Sequence, residues 1–157
     1  MNYIPKVLLC LIVLASTNEI TKAQTDDKTE ILNQISTLFD GMREGDSSKV
    51  ASVFLDDATM QTVSKNKEGN TVLNKGSLVS FKRAVGTPHD AIWDERISNV
   101  KIDVDDDLAV AWVPYSFYRG DEFSHCGVNS FQFMNTENGW KAFSIVDTRR
   151  QTNCIDL

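Results

Sequence analysis

Hydrophobic and polar positions change rhythm twice along this chain, and the changes mark off three parts. The first is an unbroken apolar run, Val7 to Ala15, preceded by Lys6. It is too short to cross a bilayer as a helix. A polar stretch follows and ends Thr21-Lys22-Ala23, with small residues three and one positions before the next bond. A basic start, a short apolar run and a small-x-small ending predict a secretory signal over residues 1–23, cut before Gln24. Cys10 is not a lipid attachment site, because Val7, Leu8 and Leu9 before it are not small and the apolar run continues past it.

From Thr25 the period becomes helical. Ile31, Leu32, Ile35, Leu38, Phe39 and Met42 fall on one stripe, acidic residues lie in the first turn, and Gly45 provides a stop. Asp46 is placed to cap a short second helix through Val50, Val53 and Phe54. Ala58–Val63, a polar turn containing Gly69, and Thr71–Leu73 read as a hairpin. Asn74 offers the next cap, with Leu78, Phe81 and Val85 on one side of a third helix that must end by Gly86-Thr87-Pro88.

Beyond His89 the rhythm is alternation. Ile92–Val104, Leu108–Tyr118, Phe123–Met134 and Trp140–Arg149 are separated only by short turn sequences, which predicts four strands paired as an antiparallel meander. In the first run the apolar phase slips between Trp93 and Val100, predicting a bulge near Ser98 and a strongly bent sheet. Pro114 lacks the N–H that a ladder needs, so an edge or bulge is expected there. These elements bury their apolar faces together if the sheet wraps around the first helix. The expected architecture is one α+β domain over residues 24–157, a cone-shaped curved antiparallel sheet around N-terminal helices.

Charge changes the picture by exclusion. The whole chain carries 16 basic and 22 acidic residues, and removal of residues 1–23 leaves 14 and 21, a formal charge of −7. Such a surface repels phosphate backbones and anionic membranes, so neither nucleic acid nor membrane is an expected partner. Cleavage also leaves only Cys126 and Cys154. One bridge between them is expected in an oxidising compartment, two buried thiols being the alternative. Asp105–Asp107 lacks the glycine and later glutamate of a calcium loop, and His89 and His125 belong to no Cys/His spacing motif. Neither metal nor cofactor is expected.

The segment FSHCGVNSF, residues 123–131, holds the most suggestive chemistry. Neighbours on a strand face opposite sides. His125 therefore sides with Gly127, Asn129, Phe131 and Phe133, while Cys126 points the other way. A Cys–His nucleophile needs the two in contact, so this pair is not one. His125 and Asn129 among phenyl rings are the polar groups of an apolar hollow, or His125 is a core histidine satisfied by a backbone carbonyl. Asp147 shares a face with Lys141, Phe143, Ile145 and Arg149; it either faces the hollow or simply pairs with Arg149. Tyr115 and Trp93 offer flat surfaces for an aromatic ligand, or serve as ordinary core.

The order of helices, hairpin, helix and meander resembles the nuclear transport factor 2-like superfamily, whose fold is a cystatin-like roll, over essentially the whole mature length. Within it, AWVPYSFYRGDEFSHCGVNSFQFM and GWKAFSIVDTRRQTNC, with their HCG-V-N-x-F and DTR signatures, resemble the putative lumazine-binding branch. The resemblance implies an exported bacterial protein, periplasmic or secreted in the cell envelope, and a homodimer. It implies a flat apolar or heterocyclic ligand of pteridine type, for which the strand phases and ring positions offer Trp93, Tyr115, His125, Asn129, Phe131 and Asp147. Two alternatives fit the same superfamily. One is an isomerase, dehydratase or cyclase in which His125 and Asp147 move protons and Tyr115 stabilises an oxyanion. The other is a non-catalytic dimeric interaction module whose interior has filled with side chains.

Overall fold

The computed structural model describes residues 6–154, with side chains from residue 24; the signal sequence expected over residues 1–23 lies outside the residues described with side chains. Helix α1 is Lys6–Glu44. Ile31, Ile35, Leu38, Phe39 and Met42 are buried along it, as their spacing requires, whereas Leu32 is 39% exposed and does not join the stripe. It sits a full 100° around the helix from Ile31, on the solvent side. Gly45 takes a left-handed φ of 69° and ends the helix. Asp46 then caps helix α2, Ser47–Val53, accepting from the Ser48 and Lys49 backbone N–H groups at 2.8 and 3.2 Å.

Strands β1 (Phe54–Lys65) and β2 (Thr71–Lys75) form the expected hairpin, and β1 already begins at Phe54, the residue expected to finish the second helix. Helix α3 is Leu78–Gly86, but its cap is Ser77, not Asn74. Asn74 lies within β2 and spends its side-chain amide on Ser64 Oγ at 2.9 Å. The expected first long strand is two strands, β3 (Trp93–Ile97) and β4 (Lys101–Asp105), and the remaining meander is β5 (Leu108–Arg119), β6 (Glu122–Thr136) and β7 (Gly139–Thr148).

The break between β3 and β4 has a cause on the neighbouring strand. Both pair antiparallel with β5, β4 along its first half and β3 along its second. Pro114 lies between, and its carbonyl accepts from the Ser98 N–H at 3.1 Å. A residue's N–H and C=O point to the same side of a strand, so the N–H that Pro114 lacks is missing on this edge. The partner leaves the ladder there, with Asn99 in a left-handed conformation at φ 50°. The phase slip and the proline are thus one feature.

The sheet order is β2-β1-β7-β6-β5-β3, with β4 beside β5. All of the meander is antiparallel, but β1 joins β7 in parallel, so the sheet is mixed and not wholly antiparallel. Strand β7 also changes phase. A register shift opposite Gln132 and Phe133 lets Trp140 and Ala142 face the core before Ile145 and Asp147, so Lys141 and Phe143 leave the face they were expected to share. The α1 stripe packs on Phe131, Phe133, Trp140, Val113 and their neighbours as one core. Trp140 fastens the helix to the sheet, its indole N–H donating to Asp27 Oδ1 at 3.1 Å and its backbone N–H to Glu30 Oε1 at 3.2 Å.

Candidate functional site

The inner face of the sheet and helices α1 and α3 bound a cavity of about 540 Å³. It is not filled by side chains, in contrast to the third of the functional classes considered from sequence. One side is apolar: Leu38, Phe39 and Met42 from α1, Phe81 and Ala84 from α3, and Phe54 and Met60 from β1. The other side is where the strands place their polar residues.

Register decides which polar groups meet. Asn129 on β6 stands opposite Val113 of β5 and Asp147 of β7, and Asp147 stands beside Thr62 of β1. One row across four strands therefore carries an amide, a carboxylate and a hydroxyl into the cavity. The Thr62 hydroxyl donates to Asp147 Oδ1. Arg149 Nε donates to Asp147 Oδ2 at 2.7 Å, and the Tyr115 hydroxyl, 3.5 Å from the same oxygen, donates at 2.9 Å to the Thr148 carbonyl. Asp147 thus both faces the cavity and pairs with Arg149.

Asn129 turns the other way along the row. Its Nδ2 donates at 2.6 Å to Oε1 of Glu95, a buried carboxyl on β3. Burial pushes Glu95 up to about 7; the bond from Asn129 works against this, the charge of Asp147 adds to it and Arg149 opposes it. Near neutrality this group is close to half protonated.

Sequence reasoning missed Glu95. Its signal was present: Trp93, Glu95 and Ile97 alternate in one phase, which puts an acid between two inward-facing apolar residues.

Four rings lie in succession beside the acids. Trp93 meets Phe117 edge-on at 6.2 Å between centroids, Phe117 lies 5.1 Å from His125, and His125 meets Tyr115 edge-on at 5.7 Å. The His125 Nδ1 is 3.0 Å from Ser124 Oγ, a side-chain partner in place of the backbone carbonyl considered from sequence. Half-burial and then the positive charge of Arg149 lower its pKa, against the pull of Asp147, so the ring is neutral at pH 7. Tyr115 is pushed up by burial and by the carboxylates of Glu95 and Asp147, and stays a phenol. Arg149 is held above its ordinary value by Asp147, although burial works the other way.

Gly127 explains how Tyr115 fits. It lies directly opposite Tyr115, and a Cβ there would fall 1.8 Å from the Thr148 carbonyl oxygen and 2.9 Å from the tyrosine ring. Only glycine lets the phenol cross β6 to reach Thr148.

Five of the six ligand positions expected from sequence, Trp93, Tyr115, His125, Asn129 and Asp147, line the cavity. Phe131 does not. It is fully buried, stacked on Phe133 at 5.5 Å, because it belongs to the solid core that packs with the α1 stripe. Cys126 points away from His125 and is joined to Cys154, their Cα atoms 5.7 Å apart. Arg150 pairs with Cys126 through two backbone hydrogen bonds, so the tail lies along the back of β6. Among the described residues no three His, Cys, Asp or Glu side chains gather as metal ligands.

Solved structures share this arrangement of elements. A nuclear transport factor 2-like protein with a cystatin-like fold from Novosphingobium aromaticivorans aligns over 89% of this chain and 90% of its own, with TM-score 0.68 and 15% identity. One of unknown function from Shewanella baltica aligns over 82% and 97%, with TM-score 0.63 and 14% identity. A putative dehydratase from Streptomyces avermitilis aligns over 82% and 98%, with TM-score 0.62 and 17% identity. At such identities the likeness is one of fold. No curated protein matches the chain. Residues 26–146, by contrast, match the family described as Putative lumazine-binding. That match spans most of the chain, so this protein, with the fold seen in nuclear transport factor 2-like structures, belongs to the putative lumazine-binding family.

Proposed function

We propose that this protein is an exported binder of a flat, mainly apolar small molecule, a pteridine-like heterocycle being one candidate. The observation that carries the reading is the division of the cavity into an apolar wall and a polar one. Its volume, about 540 Å³, lies in the range that takes a ligand of a few rings. Phe39, Phe54 and Phe81 supply contact area on one side. Asn129, Tyr115 and His125 on the other supply direction. Native mass spectrometry of protein purified from its own host tests this. A co-purifying small molecule, lost from a cavity-narrowing Ala84→Phe variant, is expected. A bare chain that also ignores a panel of flat heterocycles would remove the reading.

Export is supported by the leader pattern over residues 1–23 and by the Cys126–Cys154 bridge, a bond that persists in oxidising compartments. The homodimer is supported by the outer face of the sheet. Leu108, Val110 and Trp112 on β5 and Met134 on β6 lie there 40 to 52% exposed, a contiguous apolar stripe, since Leu108 and Met134 are register partners.

One observation favours a second reading, acid–base catalysis. A carboxyl poised near pH 7 inside a cavity is suited to taking and returning a proton. In that reading the proton mover is Glu95 more than Asp147, whose two oxygens are already engaged by Thr62 and Arg149. Turnover of the bound molecule that disappears in Glu95→Gln, with binding retained, distinguishes the enzyme from the binder.

A further inference from the structure

Four charged side chains line the cavity: Glu95, Asp147, Arg119 and Arg149. Their placement is not symmetrical. The acids are buried, Glu95 accepting from Asn129 through Oε1 and Asp147 bonded to both Thr62 and Arg149. The arginines are exposed at the ends of their strands, Arg119 closing β5 and Arg149 standing just past β7. Both share the inward phase, Arg119 two residues beyond Phe117 and Arg149 two beyond Asp147. Among the described residues the Arg119 side chain makes no hydrogen bond or ion pair, and Arg149 commits only its Nε to a side chain. Two guanidinium groups with free N–H forks thus stand at the rim of an apolar hollow, in a protein whose formal charge is −6.

A basic ligand would meet two guanidinium groups of its own charge at the mouth. A neutral one would leave the forks unused. An oxyanion matches their geometry, since guanidinium donors meet planar or trigonal oxygens in pairs. We propose that the ligand of this cavity is an amphipathic anion, its flat apolar body against Phe39, Phe81 and Trp93 and a carboxylate or sulfonate head at the rim, in the field of Arg119 and Arg149. The inference rests on the binding reading above and narrows its chemical class. It also assigns Arg119 a role in specificity that no backbone or core contact accounts for.

Two fluorescent probes with the same ring system separate the possibilities: 1-anilinonaphthalene-8-sulfonate, and N-phenyl-1-naphthylamine, which lacks the sulfonate. Each is titrated into the full mature chain and into Arg119→Gln, Arg149→Gln and the double variant, with Lys67→Gln in the distant hairpin turn as the control. Arg119→Gln removes no bond of the fold, so it remains informative if Arg149→Gln, which strips Asp147 of its partner, loosens the site. Expected is a loss of about fivefold in affinity for the sulfonate with Arg119→Gln, and a greater loss in the double variant, as for a partly exposed charged contact. The neutral probe should change by less than about twofold, and only the sulfonate should weaken with salt. Equal changes for both probes, or none for either, overturn the anionic class while leaving the binding reading in place. If the unaltered chain binds neither probe, the binding reading falls and this inference with it.

Discussion

Replacing Glu95 by glutamine should stabilise the protein at alkaline pH and do almost nothing at acid pH. The glutamine carbonyl keeps the bond from Asn129 Nδ2, and the volume is unchanged, so the substitution isolates the charge. Below pH 4.5 the side chain is protonated in both folded and unfolded chains, and burial costs nothing extra. As pH rises the unfolded chain ionises first, so stability is lost progressively until the folded group ionises at about 7. Above that the full cost is present. The two values lie about 2.5 apart, and each pH unit corresponds to about 1.4 kcal/mol, which gives about 3 kcal/mol at pH 8 and less than about 0.5 kcal/mol at pH 4.5. Urea unfolding of both proteins at the two pH values measures the difference, and the titrating groups that do not interact with Glu95 cancel between them. With a urea slope of about 1.5 to 2 kcal/mol per molar, the variant's midpoint should rise by about 1.5 M or more at pH 8. A gain that is the same at both pH values would refute the reasoning, because it would show a packing effect. A loss at pH 8 would show that the ionised carboxylate is held by the fold and not penalised by it.

Other outcomes follow from single features. Gly127→Ala forces either the Thr148 carbonyl or the Tyr115 ring to move, and should cost about 2 to 4 kcal/mol in thermal or urea unfolding. Gly69→Ala, in a turn with open space around it, should cost only about 1 kcal/mol. Replacing both Cys126 and Cys154 by serine opens a loop of 28 residues and should lower stability by about 3 kcal/mol by the same measurement, without altering probe binding. The proposed dimer should be lost in Trp112→Asp, read as a monomer in analytical ultracentrifugation with an unchanged circular dichroism spectrum, since the ring is 52% exposed in the single chain. Sequencing the N-terminus of the mature protein should return Gln24.

The periodic parts of the fold were legible because burial leaves a period behind. The α1 stripe, the second helix and the alternation that separates His125 from Cys126 are of this kind, and the last settled the chemistry of that pair before any contact was known. What a one-dimensional pattern does not carry is a relation between distant strands. The parallel union of β1 with β7 left no mark on either segment, yet it brings Thr62 to Asp147. The phase change in β7 arises from a register shift opposite β6, so Phe143 looked inward when it is not. Glu95 was hidden differently. An acid in a strand is ordinarily a solvent residue, and only the phase of Trp93 and Ile97 argued otherwise; its partner, Asn129, lies 34 positions away. Phe131 failed for the opposite reason, since a residue facing the interior can belong to the solid part of it.

The parallel union of the first strand with the last also fixes when the site can exist. Thr62 and Asp147 are separated by 85 positions, and a chain emerging from its N-terminus makes the hairpin long before its final strand. Until that strand arrives, β1 has an unpaired edge and the hollow lacks one of its two carboxylates and one of its two arginines. Such distant closure is slow compared with local folding. Assembly of the cavity therefore awaits that strand, and a chain ending just before it would lack Asp147 and Arg149 together with Trp140, which fastens α1 to the sheet.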